Sequence, residues 1–151
     1  SQLKGNLKDG VVRRMSRSTE DKLPQLTRIG DGQYHHFRFD VKHDRRNVIV
    51  EVTTLENSVA ADLHVYLSKD GFAFRDSALH KANAADGTQT IEAQLERGTW
   101  FVGVECSTRV DAIEDADSGF YRYFRNPEIL NGVAYSVQMK TAGSAPDDCT
   151  R

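Results

Sequence analysis

Three stretches of the chain place apolar side chains at every second position. Residues 61–68 read Ala-Asp-Leu-His-Val-Tyr-Leu-Ser, and residues 89–95 read Gln-Thr-Ile-Glu-Ala-Gln-Leu. Residues 98–106 read Gly-Thr-Trp-Phe-Val-Gly-Val-Glu-Cys. A period of two marks a half-buried strand, because successive side chains point to opposite faces of a sheet. In the first stretch it turns Leu63, Val65 and Leu67 inward and His64 and Tyr66 to the other face. The same alternation runs through 34–41 (Phe37, Phe39, Val41), 47–54 (Val48, Val50, Val52) and 132–140 (Val133, Tyr135, Val137, Met139). Their β-branched content favours strand over helix.

Polar turn signals punctuate these runs. Lys42 to Asn47, Lys69-Asp70-Gly71 and Glu96-Arg97-Gly98 read as turns, the last as a tight hairpin. Phe72 and Phe74 suggest a short strand or a loop plug, and 76–87 reads as loop. The pattern predicts an edge strand over 7–16 and a loop over 17–32. It predicts a long insertion over 107–131, a lead or linker over 1–6 and a tail or linker over 141–151. About seven or eight short strands without a long helix imply an all-β, antiparallel sandwich.

The 151 residues suit one domain with a single core over 7–140. The net charge of −2 sets up no field that would recruit nucleic acid. No apolar run approaches the roughly 18 residues of a membrane span. No signal peptide is visible in the opening Ser-Gln-Leu-Lys-Gly. Cys106 and Cys149 allow one disulfide or none. The strand face Cys106 shares with Trp100, Val102 and Val104 suits a buried free thiol.

The ordered features resemble the bacterial pre-peptidase C-terminal domain family. Leu7-Lys8-Asp9-Gly10-Val11 matches its opening Leu-x-x-Gly-Val, and Tyr34, Phe37, Phe39 and Val41 match its aromatic-rich strand. Residues 61–67 match Ala-Asp-Leu-x-Val-Tyr-Leu, 98–104 match Gly-Thr-Trp-Phe-Val-Gly-Val, and Tyr135 and Val137 match the closing Tyr-x-Val. The resemblance covers roughly 7–140 and implies a jelly-roll-like β-sandwich beside a secreted hydrolase or peptidase. It implies a secreted or cell-surface location and a parent-chain catalytic domain as partner. Collagen-binding and other targeting modules in the family, often with calcium, make a protein or polysaccharide polymer and a calcium ion the partners to test. The chain departs from the compact pattern at 17–32 and 107–131.

Asp62, at the start of its strand, is expected to satisfy neighbouring backbone N–H groups, with a cation-ligand role as the alternative. Asp111, Glu114, Asp115 and Asp117 form an acidic cluster in the long insertion. Flexible oxygen-rich loops suit calcium, yet the spacing is not that of an EF-hand, since Asn126 stands where a bidentate Glu belongs. A solvated acidic loop is the competing reading. Phe120 to Arg125 is an aromatic–cationic run. Tyr121, Arg122, Tyr123 and Arg125, with Trp100, are the expected ligand-binding residues, because Tyr, Trp and Arg make good anchors. The alternative is that Phe120 and Phe124 plug one end of the sandwich.

His35 and His36 are adjacent, so a strand sends them to opposite faces. All five histidines are expected to be solvated or half-buried. No Gly-x-Ser-x-Gly and no His-Glu-x-x-His motif occurs. The chain is therefore expected to be non-catalytic: an accessory module that binds or targets a macromolecular substrate. The alternatives are a structural or regulatory domain packed on its parent, and a protein-docking adhesion or signalling module.

Overall fold

A computed structural model describes residues 2–17, 26–30, 32–55, 62–82, 88–108, 111–125 and 132–141. The strands are β1 (Gln2–Asn6), β2 (Arg13–Met15), β3 (Tyr34–Val41), β4 (Arg46–Thr54), β5 (Leu63–Lys69) and β6 (His80–Ala82). They continue with β7 (Thr88–Leu95), β8 (Gly98–Cys106), β9 (Asp111–Glu114), β10 (Tyr121–Arg125) and β11 (Tyr135–Thr141). A five-stranded sheet in the order β1-β3-β8-β5-β6 faces a four-stranded sheet in the order β2-β11-β4-β7. The β9–β10 hairpin stands apart as its own two-stranded sheet. The pairings are antiparallel except that β1 runs parallel to β3. The expected antiparallel β-sandwich is therefore the observed fold. No helix among the described residues is long and apolar enough to cross a membrane.

The period-two residues meet between the sheets. Phe37, Phe39, Val65, Leu67, Val102 and Val104 come from one sheet, and Val48, Val50, Val52, Val137 and Met139 from the other; all are buried. Burying each such side chain contributes about 1.5–3 kcal/mol before entropy is counted. A polar pair joins the two sheets within this layer. His35 on β3 reaches across so that its Nδ1 is 2.7 Å from the Tyr135 hydroxyl on β11. Burial first, then nearby Lys4 and His36, lowers the His35 pKa to about 3. The imidazole is therefore neutral in the fold at ordinary pH.

The outer face of the five-stranded sheet is covered over part of its area. The connection after β5 folds back and lays Phe72, Ala73, Phe74 and Arg75 over it. His36 stacks parallel to Phe72 with centroids 4.1 Å apart, and its Nε2 is 3.0 Å from the Ala73 carbonyl. Gly103 on β8 makes this approach feasible, since a Cβ there would lie 2.2 Å from Ala73 O. Beside it the Tyr66 hydroxyl donates to Glu105 Oε1 at 2.6 Å, and Arg75 Nη2 donates to Glu105 Oε2 at 2.7 Å. Burial alone would push the Glu105 carboxyl up, but these hydrogen bonds outweigh it and hold the carboxyl below its usual range. Burial and the Glu105 contact push the Tyr66 phenol up to about 12.

Several expectations are corrected. The lead over 1–6 holds a strand, because β1 extends the ladder of β3; its polar composition hid this. The single edge strand over 7–16 shrinks to β2, Arg13–Met15, because residues 7–12 are a non-strand crossing between the sheets. The loop over 76–87 contains β6, and the insertion over 107–131 contains the β9–β10 hairpin. Phe72 and Phe74 form a plug and no strand. His35 and His36 do take opposite faces, but at 3% and 0% exposure neither is solvated. The reason is that the start of β3 is covered on both sides, although Arg38 and Asp40 farther along it stay exposed.

Two outcomes follow. Between pH 6.5 and 3 the unfolded chain binds a proton at position 35 that the fold excludes, and burial depresses His36 in the same direction. Stability is thus full above pH 6.5 and falls as pH drops, by up to about 1.4 kcal/mol per pH unit for each excluded proton. Thermal melts from pH 7.5 to 4.5 should fall less steeply for His35→Gln than for the wild type; parallel curves would contradict this. Gly103→Ala should lower stability by about 1–3 kcal/mol in urea unfolding, the usual cost of overpacking a filled site.

Candidate binding cleft

Residues 7–12 form a strap that crosses from one sheet to the other along the open side of the sandwich. Leu7 N–H donates to Arg38 O on β3 at 2.7 Å, and Gly10 N–H donates to Met139 O on β11 at 2.9 Å. A turn lies between, closed by Val11 N–H to Lys8 O at 3.0 Å, with Gly10 at φ 77°. Only glycine takes that left-handed conformation without steric cost. The Asp9 carboxylate locks the crossing by accepting Thr141 N–H at 2.9 Å and the Thr141 hydroxyl at 2.6 Å. Arg13 ties the far end: its Nη2 donates to Lys4 O, and its guanidinium lies 5.5 Å from the Phe37 ring centroid.

Beside the strap the sheets part, leaving a cleft of about 550 Å³. Leu7, Phe39, Val41, Val48 and Met139 form its apolar floor, which is the end of the core. Lys8, Asp9, Asp40, Lys42, His43 and Arg46 stand around the rim. The two carboxylates are engaged, Asp9 by Thr141 and Asp40 by the Thr99 hydroxyl at 3.0 Å. The cations are not: among the described residues, Lys8, Lys42 and Arg46 make no side-chain hydrogen bond or ion pair. On the strap's other side a second hollow of about 460 Å³ is lined by Val11, Val12, Leu26 and Arg14 and shares Leu7 and Lys8. Val11 and Val12 are 52% and 51% exposed. A chain of net charge −2 thus carries a local cationic, partly apolar edge.

The sequence pointed elsewhere. Trp100 is 3% exposed within the core, and its Nε1–H donates to Glu96 O at 3.0 Å. It is corrected from a ligand-binding residue to a core residue, because its strand face is the inward one. Tyr121, Arg122, Tyr123 and Arg125 lie on β10, with their side chains outside the described residues. Phe120, at the hairpin's turn, is 76% exposed. Asp111 and Glu114 belong to β9, and Asp115 and Asp117 to the loop that follows. Asp115 Oδ1 accepts the Asp117 N–H at 2.9 Å, a bond that shapes the turn. Among the described residues no three His, Cys, Asp or Glu side chains converge as a metal site.

Asp62 ties two strands together through its backbone. Its N–H donates to Thr108 Oγ1 at 2.9 Å, and its carbonyl accepts Ser107 N–H at 3.0 Å, while the residue itself is exposed. The expected carboxylate-to-backbone role is corrected accordingly. Ser107 Oγ also lies 3.3 Å from His64 Nε2, a spacing that resembles a nucleophile and its base. The Ser107 hydroxyl, however, donates to Asp62 O at 3.2 Å, so its one proton goes to the strand clamp. Cys106 is buried, with its Sγ 3.6 Å from the Thr108 carbonyl oxygen, and Cys149 lies outside the described residues.

The cleft residues were missed because they come from distant segments, at 7–9, 39–48 and 139–141. The local signals were the Asp9-Gly10 turn and the basic run from Lys42 to Arg46.

The fold is that of the pre-peptidase C-terminal domain of collagenase from Bacillus anthracis. The two superpose with a TM-score of 0.54 over 92% of this chain and 95% of that one, at 8% identity. The periplasmic inhibitor of g-type lysozyme from Aeromonas hydrophila aligns over 93% of this chain and 97% of its own, at 13% identity and a TM-score of 0.49. No family model matches the sequence, and no curated protein matches it. At these identities the likeness is one of fold.

Proposed function

We propose that this chain is a non-catalytic accessory β-sandwich of a secreted or cell-surface protein. It holds a macromolecular substrate close to a catalytic domain of its parent. Tethering of this kind raises effective concentration without new chemistry. The observation that carries the reading is the cleft beside the strap, with an apolar floor and rim cations that have no side-chain partner among the described residues. Its volume falls in the range of about 300–1,000 Å³ typical of ligand pockets. The shared fold with a collagenase accessory domain supports the setting.

A second reading draws on the β9–β10 hairpin. Phe120 is 76% exposed at its turn, and an apolar side chain in that position suits packing against a parent domain. Tyr121, Arg122, Tyr123 and Arg125 follow it on β10 and belong to that proposed contact.

The test is a pull-down of the domain on insoluble proteins and polysaccharides, and on fragments of its parent, each with calcium and with chelator. Retention on a protein or polysaccharide matrix supports the targeting reading, and Asp9→Ala, which frees the strap from Thr141, should weaken it severalfold. Retention only on parent fragments, abolished by Phe120→Ala, supports the second reading. Retention on nothing overturns both.

A further inference from the structure

Resting on the targeting reading, we infer that the cleft binds an acidic polypeptide segment, taking one apolar side chain on its floor and carboxylates on its rim. Three features select this occupant. First, Lys8, Lys42 and Arg46 are cations without a partner among the described residues, and they surround an apolar floor. An apolar anchor flanked by Asp or Glu meets both requirements at once.

Second, the rim also carries acceptors. Asp9 and Asp40 each accept one or two hydrogen bonds within the fold, and a carboxylate has about four lone-pair sites. The backbone N–H groups of a peptide can use the remaining sites. A uniform polyanion such as a nucleic acid backbone offers no such donors along its phosphates.

Third, the floor is mainly aliphatic, with Phe39 as its one aromatic residue. Sugar rings are recognised largely by stacking on open aromatic faces. The floor presents no open Phe, Tyr or Trp ring of that kind. Val11 and Val12, exposed on the far side of the strap beside Arg14, extend the same apolar and cationic character, so a segment of several residues can lie across the strap.

The experiment is fluorescence anisotropy on the full chain with a fluorescein-labelled Glu-Asp-Leu-Glu-Asp peptide. A Lys-Arg-Leu-Lys-Arg peptide and a neutral dextran serve as controls. We expect the acidic peptide alone to bind and its affinity to fall as salt rises through the physiological range. Lys42→Glu with Arg46→Glu should weaken binding about tenfold or more, because each reversal replaces an attraction with a repulsion. Lys8→Glu tests the opposite wall independently and should weaken it severalfold. Lys81→Glu, on β6 at the other edge of the sheet, should leave binding within about twofold. Unchanged binding by both the double variant and Lys8→Glu overturns the assignment, as does equal binding of the basic peptide. No acidic-peptide binding by a chain that is still retained on a polysaccharide matrix overturns this inference and leaves the targeting reading standing.

Discussion

Both layers of the fold are built against β8, whose second half is buried on both faces. It pairs with β3 along one side and β5 along the other. Its inward residues Trp100, Val102, Val104 and Cys106 build the core. Its outward residues Gly103 and Glu105 hold the covering loop, one by yielding space to Ala73 O and the other by gathering Tyr66 and Arg75. A strand covered on one side only would leave Glu105 and His36 in water. Here they are shielded, and their hydrogen bonds become a structural requirement, since a buried polar group without a partner costs about 1–3 kcal/mol.

The doubly covered centre fixes where the sandwich can stay open. β3 carries β1 on its free edge, and the chain must then cross to the opposing sheet to form β2. The strap makes that crossing with a few backbone hydrogen bonds and the Asp9 lock. It cannot fill the space beside it, so the end of the core becomes the floor of a cleft. The polar termini of β3, β4 and β11 become its rim. The site is a consequence of how the sheets are joined at their edge.

That origin explains what the sequence revealed. Alternation is a local signal, and β3, β4, β5, β7, β8 and β11 were all legible from it to within a few residues. β1 was not, because Gln-Leu-Lys-Gly-Asn has no alternation and gains its strand state from β3. The covering loop was half legible: Phe72 and Phe74 invited a plug, yet nothing local told that His36 would lie beneath it. The cleft was the least legible feature, since Lys8, Lys42 and Arg46 meet only through the topology. Trp100 misled for the converse reason. A Trp in an alternating strand is a strong candidate anchor by composition, but its register turned it inward.

Ligand binding beside the strap would show residue by residue in the amide chemical shifts. An isotope-labelled chain titrated with the acidic peptide should show shifts clustered at residues 7–12, 41–46 and 139–141, with the outer-face residues 72–75 unmoved. Shifts confined to the β9–β10 hairpin, with those three segments unchanged, would contradict it and move the binding surface to the other side of the molecule's chemistry, the aromatic run after Phe120.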